Sequence, residues 1–459
     1  MTPHTARPNC MRPVMHRVPA NVRVQGRSSA GLCLASPKEE DPSGASRRAI
    51  LAAGSVPLVL AGAGPVAASG AASSGSLPLV PKAGERPGDR RRRFGLQEGA
   101  TPMPRRGWRA PAHRIPALTP RAADMAPGLS VSRIVKGCWQ LSGGHKGDRG
   151  SDRTSGKGAQ EDFALFREAG ITTVDTADIY GPSEAIIGGY IKTMDADAAQ
   201  RDLQVLTKCC FFSAGDMKNP SVDAIRKRVQ NSTSSLAGRV PELVQLYWHD
   251  YRSPNYAQAA VSLTALKEEG LLRHVGATNF DTQRMGEMIR AGGEVVQNQV
   301  QYSLLDRRPA GKMTQFCVDK GVTLLPYGTV GGGFLSDRYL GMGAGEASKT
   351  INTYSKSKYA SVIEQAGGWG WLQELLKTLR EVADDKGTDI SSVATRWVLD
   401  QPAVPAVIVG ARNAEHVDAA RGVFGFVLDG TDNAKIEAVL AKGRLAKGDC
   451  YEWERGGTW

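Results

Sequence analysis

Residues 173–181 read Thr-Val-Asp-Thr-Ala-Asp-Ile-Tyr-Gly. A short apolar run ends at Asp175, and Tyr180 follows five residues later. The next apolar run, residues 203–208, ends at Lys208. An ammonium beside a phenol favours the phenolate, so we expect Lys208 to lower the pKa of Tyr180 where the two side chains meet. A carboxylate paired with Lys208 would keep the ammonium charged and oriented, so the stretch predicts a site for acid catalysis.

Short apolar runs alternate with segments of helical period from about residue 129 onward, which is typical of repeated βα units and a parallel sheet. Eight such strands close most simply as a (β/α)8 TIM barrel, in which chemistry lies at the C-terminal ends of the strands. A doubly wound sheet is the alternative, but no G-x-G-x-x-G follows the first strand. The predicted strands are 133–141, 172–176, 203–208, 243–248, 272–277, 295–300, 322–327 and 404–410, and the predicted helices are 160–169, 183–193, 222–236, 256–269, 282–291, 312–320, 372–386 and 390–400.

Charge separates the barrel from an N-terminal appendage in this chain of 459 residues. Residues 1–114 hold 18 Lys and Arg against 6 Asp and Glu, which accounts for the whole net charge of +12. These basic residues lie in a segment rich in Pro, Gly, Ser and Ala without interleaved aromatics, so we expect no nucleic-acid binding. We predict a targeting presequence at 1–71, a disordered linker at 72–124 and the barrel at 125–459.

The appendage has the composition of a targeting segment. Five Arg and no acidic residue precede Lys38, which is typical of an organelle transit peptide. Arg47 and Arg48 then precede an apolar stretch, residues 49–64, as in a twin-arginine signal. That stretch is too short for a membrane span, which needs about 20 apolar residues. The two parts resemble a presequence for import into the chloroplast and then the thylakoid lumen, with import into the stroma alone as the alternative.

The spacing of the residues near the predicted strand ends resembles the pattern of a known superfamily. Asp175, Tyr180 and Lys208 match the pattern of the aldo-keto reductase superfamily, which has an Asp, a Tyr five residues later and a Lys at the end of the following strand. The resemblance covers about residues 129–425. It implies a barrel oxidoreductase that uses NADPH to reduce an aldehyde or ketone, with Tyr180 as general acid and with Lys208 and Asp175 tuning it. That chemistry needs no metal, and the seven cysteines show no metal-ligand spacing.

Two later motifs fall in the order that the superfamily has. Residues 276–280, Gly-Ala-Thr-Asn-Phe, are similar to the G-x-S-N-F of the fifth strand, and Asn298-Gln299 is similar to the N-Q of the sixth. The resemblance implies that Thr278, Asn279 and Gln299 hydrogen-bond the nicotinamide carboxamide. Asn279 has a second interpretation as the N-cap of the helix predicted at 282–291.

The rest of the implied cofactor site follows the seventh and eighth strands. Tyr327 matches the aromatic residue that stacks on the nicotinamide ring in the superfamily. Gly328 and Thr329 open a glycine-rich loop whose backbone amides would approach the pyrophosphate. The segment from Gly410 to Arg412 resembles the G-x-R of the eighth strand, and Arg412 is the candidate for the adenosine 2′-phosphate. A plain surface arginine is the other interpretation of Arg412.

The fourth strand departs from the superfamily pattern. That strand usually ends in His-Trp, but here Tyr247 precedes Trp248 and His249 follows it. Residues 247 and 249 point to the same face of a strand. Either His249 reaches the site from one step further along, or the Tyr247 hydroxyl orients the carbonyl oxygen. Trp139, near the end of the first strand, is interpreted as a wall of the substrate pocket or as a core residue.

Two other functions are compatible with the same barrel. A catalytically impaired cofactor-binding sensor or partner protein is the alternative that Tyr247 suggests. A Schiff-base lyase with Lys208 as nucleophile is the other, but it leaves Thr278, Gln299 and Tyr327 without a role. No motif identifies the substrate, because the substrate loops of barrels vary independently of the scaffold. The oligomeric state is not indicated by the sequence either.

Overall fold

Ten strands form two sheets in a computed structural model, which describes residues 121–142, 156–411, 413–414, 417–457 and 459. The presequence predicted at 1–71 and the linker as far as residue 120 lie outside the described residues. The strands are β1 Ala122–Ala126, β2 Leu129–Ser132, β3 Ile134–Gly137, β4 Thr173–Asp175, β5 Gln204–Phe211, β6 Leu243–Trp248, β7 Val275–Thr278, β8 Val295–Gln301, β9 Thr323–Tyr327 and β10 Val407–Gly410.

Eight of these strands form the predicted parallel barrel. Their order around the sheet is β10-β3-β4-β5-β6-β7-β8-β9. Near the two ends of the sheet, the backbone N–H of Leu324 in β9 donates to the carbonyl of Ala403, four residues before β10, at 2.7 Å. Every residue of β3, β4, β6 and β7 is buried, as expected for parallel strands that are covered on both faces. The (β/α)8 fold class is therefore confirmed.

Helices cover the outside of the barrel, and several begin at a capping side chain. Asp281 and Asp389, for example, each accept a hydrogen bond from the backbone of the first turn that follows them. The α-helices are α1 Gly156–Glu168, α2 Ser183–Ile191, α3 Ala196–Asp202, α4 Ala214–Lys218, α5 Val222–Ser235, α6 Tyr256–Glu268, α7 Thr282–Arg290, α8 Lys312–Lys320, α9 Ala344–Ser348, α10 Tyr354–Ala366, α11 Gly368–Lys386, α12 Ile390–Leu399, α13 Val417–Gly422 and α14 Gly430–Leu440, and 3-10 turns span Trp139–Leu141, Arg308–Ala310, Gly331–Gly333, Asp337–Tyr339 and Trp453–Arg455.

The antiparallel hairpin of β1 and β2 covers the N-terminal end of the barrel. Met125, Leu129 and Val131 belong to one buried cluster with inward-facing barrel residues such as Leu206 and Leu325. The turn between the two strands contains Gly128 in the left-handed region, with φ of 79°. The predicted linker at 72–124 did not anticipate β1, which begins at residue 122, because this short strand shows no alternating pattern.

Two predicted strands have different ends in the structure. The strand predicted at 133–141 stops at Gly137, because Trp139–Leu141 forms a 3-10 turn. The strand predicted at 203–208 continues to Phe211, because its next three residues are apolar and stay paired with β6. Lys208 therefore lies inside the barrel and not at the strand terminus. Among the described residues, no helix is both long and apolar enough to cross a bilayer.

Candidate active site

Asp175 and Lys208 form a buried ion pair inside the barrel. Lys208 Nζ lies 2.7 Å from Asp175 Oδ2 and donates to the carbonyl of Thr176 at 2.7 Å. The other carboxylate oxygen of Asp175 accepts from the side-chain amides of Gln245 at 2.9 Å and Gln299 at 2.8 Å. Burial by itself would lower the pKa of Lys208, but the Asp175 carboxylate outweighs it and the pKa is raised. Lys208 is therefore a fixed cation at neutral pH.

Tyr180 packs against this cation. Lys208 Nζ lies 5.0 Å from the centroid of the Tyr180 ring, and the Trp139 ring meets that ring edge-on at 4.9 Å. The expectation that the pKa of Tyr180 is lowered is wrong. Burial raises the pKa of Tyr180 to about 12, although Lys208 acts in the opposite direction. Desolvation of the phenolate outweighs the ammonium. Tyr180 therefore keeps its proton at neutral pH, which is the state that a proton donor needs.

Tyr247 lies beside Tyr180. It is 9% exposed and belongs to a small buried cluster with Ala177 and Cys210, against which Tyr180 packs. Cys210 is its register partner on β5. The strand thus places the Tyr247 side chain at the C-terminal end of the barrel, on the side where Tyr180 lies.

His249 lies one residue beyond the end of β6. Its Nδ1 is 3.4 Å from the Tyr247 hydroxyl, and its ring packs 5.6 Å from that of Phe212. Burial lowers the pKa of His249, and Arg455 acts in the same direction, so the imidazole is neutral at pH 7. Of the two candidates for the missing histidine, Tyr247 packs in the cluster beside Tyr180, and His249 contacts the Tyr247 hydroxyl.

The residues implied for the nicotinamide carboxamide lie at the end of β7, directly after it and within β8. Thr278 Oγ1 donates to the carbonyl of Gln299 at 3.3 Å. Asn279 adopts the left-handed conformation, with φ of 62°, and its Oδ1 accepts from the Tyr327 hydroxyl at 2.9 Å. The N-cap interpretation of Asn279 is wrong, because the side chain that caps α7 is that of Asp281. Asn279 and Tyr327 thus form one hydrogen-bonded pair across the barrel mouth.

The loop after β9 has two features that fit a phosphate group. Thr329 is 1% exposed, and within the described part of the chain its hydroxyl has no hydrogen-bond partner. Gly328 has φ of 75°, and a Cβ there would collide with the Tyr359 hydroxyl. A buried hydroxyl in a tight glycine loop at a strand end suits a phosphate oxygen. At the neighbouring strand end, Gly410 pairs with Gly137, whereas Arg412 lies outside the described residues.

The sequence motifs missed two contributors to the barrel mouth. One is Lys358 on α10, whose Nζ lies 3.5 Å from the Tyr327 hydroxyl and 3.7 Å from Glu454. Burial lowers the pKa of Lys358, although Glu454 opposes this. The other is residues 449–457, which we call the C-terminal segment; its Arg455 donates to the carbonyl of Asn279 at 3.2 Å. Only the concentration of aromatic and charged residues at 451–455 hinted at a role.

Metal-binding geometry is not found in the described ranges, where no group of three or more His, Cys, Asp or Glu side chains converges. The candidate site is formed instead by a buried ion pair, tyrosine hydroxyls and amide side chains.

Comparison with known proteins identifies related chains. The sequence model of the aldo/keto reductase family matches residues 133–441. The aldo-keto reductase YhdN of Bacillus subtilis (strain 168) is 29% identical over 322 residues, covering 68% of this chain and 91% of that protein. The chloroplastic pyridoxal reductase of Arabidopsis thaliana is 26% identical over 339 residues, covering 71% of this chain and 87% of that protein.

Solved structures share the fold. The glycerol dehydrogenase AKR11B4 from Gluconobacter oxydans matches with a TM-score of 0.56 at 22% identity, covering 72% of this chain and 98% of that one. An aldo/keto reductase from Klebsiella pneumoniae, solved with NADP and acetate, matches with a TM-score of 0.53 at 17% identity and the same coverage of 72% and 98%. At these identities the likeness shows a common architecture.

Proposed function

Because this chain belongs to the aldo/keto reductase family and is an NADP-dependent oxidoreductase, we propose that it reduces an aldehyde or ketone with Tyr180 as proton donor. The observation that carries the proposal is the packing of a protonated phenol on an ammonium that a buried carboxylate fixes in place. Proton donation to a developing alkoxide is the reaction that this arrangement suits.

The residues at the barrel mouth fit the cofactor. We place the nicotinamide ring against Tyr327 and its carboxamide near Thr278, Asn279 and Gln299. The hydroxyl of Thr329, which has no partner within the described part of the chain, supports a pyrophosphate position over the loop that begins at Gly328. When bound, NADPH supplies the hydride that the carbonyl carbon takes up. Arg412 is our candidate for the 2′-phosphate, which favours NADPH over NADH.

Lys208 and Asp175 support the proton transfer from behind Tyr180. As Tyr180 gives up its proton, negative charge grows on its oxygen, and a cation 5.0 Å from the ring centroid stabilises that charge. Asp175 holds Lys208 in one position and keeps it charged. A lysine held as a charged ammonium is a poor nucleophile, which argues against the Schiff-base alternative.

Tyr247 is our candidate for the group that orients the carbonyl oxygen. Its side chain packs in the same cluster as Tyr180, and His249 Nδ1 lies at hydrogen-bond distance from its hydroxyl. A phenol can donate a hydrogen bond to a carbonyl oxygen as a neutral imidazole can. Tyr247, in place of the histidine that is usual in the superfamily, therefore still provides a hydrogen-bond donor in the site.

Aromatic side chains beside Tyr180 favour an aromatic or otherwise apolar carbonyl substrate. Trp139 packs edge-on against Tyr180, and Phe212, 36% exposed, packs on Tyr247 at 5.0 Å. The relative from Arabidopsis thaliana is named a pyridoxal reductase, and pyridoxal is an aromatic aldehyde. That relative is also chloroplastic, which agrees with the import that we propose for residues 1–71, to the thylakoid lumen or the stroma.

Oxidation of NADPH by the purified protein tests the proposal. The panel holds pyridoxal, benzaldehydes, quinones, methylglyoxal and simple ketones, and we expect turnover with at least one aromatic carbonyl. Tight binding of NADPH without reduction of any of them would favour the cofactor-binding sensor instead. The departure from histidine at Tyr247 is the observation behind that second candidate function.

A further inference from the structure

Arg455, in the C-terminal segment, connects the ends of two barrel strands. Its Nη1 donates to the carbonyl of Asn279, directly after β7, at 3.2 Å, and its Nη2 donates to the carbonyl of Trp248, the last residue of β6. A guanidinium is planar and holds its N–H donors in a rigid fork, so two acceptors fix its orientation. The side chain of Arg455 therefore forms a fixed bridge between β6 and the residue that follows β7.

Tyr251 supports the same connection. Its hydroxyl donates to the carbonyl of Asn279 at 2.9 Å, and the Arg455 guanidinium lies 3.9 Å from the centroid of its ring. A cation–π contact at this distance is attractive and holds the ring in place. A carbonyl oxygen has two lone pairs, and at Asn279 both accept a hydrogen bond. Arg455 thus acts on this carbonyl directly and also through the position of Tyr251.

These contacts hold the backbone of Asn279 in an uncommon conformation. Its φ of 62° lies in the left-handed region, where a residue with a side chain persists only if its surroundings determine the conformation. The N–H of Asn279 donates to the carbonyl of Gln299 at 2.8 Å, and its own carbonyl is held by Tyr251 and Arg455. Peptide units are planar, so fixing the two units beside one Cα fixes the direction of its Cα–Cβ bond. The Asn279 side chain therefore leaves the backbone in one direction.

The side-chain amide of Asn279 is held at one end and available at the other. Its Oδ1 accepts from the hydroxyl of Tyr327, the ring that we place against the nicotinamide, at 2.9 Å. Within the described part of the chain, no group accepts a hydrogen bond from its Nδ2. A primary amide nitrogen carries two donors, which suit the oxygen of a carboxamide.

We propose that Arg455 is a positioning residue for the cofactor, which holds the Asn279 carbonyl and so keeps the Asn279 side-chain amide directed at the nicotinamide carboxamide. The inference rests on the proposed function, in which Asn279 binds that carboxamide. Affinity rises when a binding group is ordered before its ligand arrives, because the ligand then does not have to order it. This ordering comes from outside the family match, which ends at residue 441.

Arg455→Met tests the proposal, because it removes both donors and keeps an extended side chain. We expect the dissociation constant of NADPH, measured by fluorescence titration, to rise about tenfold, the usual effect of one net hydrogen bond. The value of kcat at saturating NADPH should change little, because loss of binding that is equal in ground state and transition state leaves kcat unchanged. Arg455→Lys should fall between the two proteins, since an ammonium lacks the fork that bridges two carbonyls.

Arg444→Met is the matched control. Arg444 also donates to two backbone carbonyls, that of Gln365 at 2.7 Å and that of Glu364, at the C-terminal end of α10. Among the described residues it contacts none that we place in the cofactor site. The dissociation constant of NADPH should therefore stay at the wild-type value in this variant.

A readout independent of cofactor and turnover is the side-chain amide NMR signal of Asn279 in protein labelled with 15N-asparagine. This signal, assigned by its loss in Asn279→Gly, should shift in Arg455→Met and stay in place in Arg444→Met. Asn279→Gly also removes the side chain while a left-handed backbone remains favourable. In that background Arg455→Met should cause no further loss of NADPH affinity, because Arg455 acts through the Asn279 side chain.

Three results would overturn the proposal. One is an unmoved Asn279 signal in Arg455→Met, and another is a loss of NADPH affinity that is as large in the Asn279→Gly background as in the wild-type background. The third is an equal loss of affinity in Arg444→Met. If Arg455→Met does not fold, Arg455→Lys, which keeps the charge, carries the same comparisons. A wild-type protein that binds no NADPH, with an Asn279 signal that still shifts in the variant, would refute the proposed function and leave the contact between Arg455 and Asn279 established.

Discussion

Asp175 is the residue on which the geometry of the candidate site depends. Its carboxylate accepts three hydrogen bonds, from Lys208, Gln245 and Gln299. These donors lie on three different strands, so the Asp175 side chain connects β5, β6 and β8 inside the barrel. Removal of the carboxylate would leave Lys208 buried and unpaired, which typically costs about 3–5 kcal/mol. Structure and proposed catalysis therefore depend on the same ion pair.

Tyr180→Phe should abolish carbonyl reduction. The substitution removes the proton donor, which typically contributes about 100-fold to 10,000-fold to the rate, and leaves the ring on Lys208. The dissociation constant of NADPH should stay nearly unchanged, because the hydroxyl is not among the proposed cofactor contacts. Steady-state kinetics and cofactor fluorescence measure the two quantities. Near-normal turnover would contradict the assignment of Tyr180.

Tyr247→Phe should cost more than His249→Ala. Loss of an oriented donor to a developing oxyanion raises the barrier by about 2.7–4 kcal/mol, and we expect kcat to fall accordingly for Tyr247→Phe. His249→Ala should have a smaller effect, because His249 contacts the site through the Tyr247 hydroxyl. Side-by-side measurement of kcat decides between them, and the reverse order would make His249 the replacement for the usual histidine.

Asp178→Asn should stabilise the protein at neutral pH. Burial raises the pKa of Asp178 from its ordinary value of 3.8 to about 6, although its backbone hydrogen bond from Cys210 opposes this. A raised folded-state pKa means that stability from this group is present below about pH 4 and is lost as the pH rises through 6. Because Asn carries no charge, the free energy of unfolding of the variant at neutral pH should exceed that of the wild type by at most about 3 kcal/mol.

Urea denaturation at pH 4.5 and pH 7.5 measures the effect of Asp178→Asn. The midpoint of the variant should lie above that of the wild type at pH 7.5 and close to it at pH 4.5. Asp385→Asn, which changes an exposed carboxylate on α11, is the matched control. Equal shifts at both pH values would mean that ionisation of Asp178 is not the cause.

At the scale of elements, the register of the strands determines which predicted residues meet. β4, β5 and β6 are consecutive in the sheet, and the pairing of Lys208 with Gln245 places both beside Asp175. The ends of β7 and β9 bring Asn279 and Tyr327 within hydrogen-bond distance. The loop after β9 then leads directly from the proposed nicotinamide position to the proposed pyrophosphate position.

Thr329→Val should weaken NADPH binding and leave turnover at saturation unchanged. The hydroxyl is buried at 1% exposure and would lose a hydrogen bond to a charged phosphate, worth about 1.5–3 kcal/mol, or a factor of about 10–100 in dissociation constant. Thr431→Val, at an exposed position of α14, is the control. Titration by fluorescence quenching measures affinity, and an unchanged dissociation constant would exclude a phosphate contact at Thr329.

At the scale of the whole molecule, an N-terminal appendage precedes a barrel whose mouth is crossed by the C-terminal segment. The family match ends at residue 441, so this segment lies beyond the part of the chain that the family model describes. Its contacts with β6, β7 and the loop after β8 make these residues part of the candidate site.

Substitution of both Arg47 and Arg48 by Lys should retain the protein in the stroma. Twin-arginine signals depend on the paired arginines, whereas a transit peptide depends on general basic composition, which the substitution keeps. Fluorescent fusions in isolated chloroplasts, followed by fractionation into stroma and lumen, measure the distribution. A lumenal protein with Lys at both positions would contradict the twin-arginine interpretation, and a wild type found only in the stroma would support the simple transit peptide.

The amino-acid sequence by itself determined the barrel and most of the candidate catalytic residues. Apolar runs of strand length alternating with helical periods predict βα units, because local hydrogen bonding and burial set these periodicities. Asp175, Tyr180 and Lys208 were identified because they lie at or shortly after predicted strand ends and match the superfamily pattern. The last of these lies three residues inside β5, since strand ends depend on how far the neighbouring strand stays paired.

Only the tertiary structure decided what depends on distant contacts. The pKa of Tyr180 is raised and not lowered, because the degree of burial cannot be obtained from spacing. Tyr247 packs in the buried cluster beside Tyr180, because its register partner on β5 is Cys210, a member of that cluster. Arg455 reaches the carbonyl of Trp248 from 207 residues along the chain. Such contacts arise when the chain closes on itself, and no local pattern encodes them.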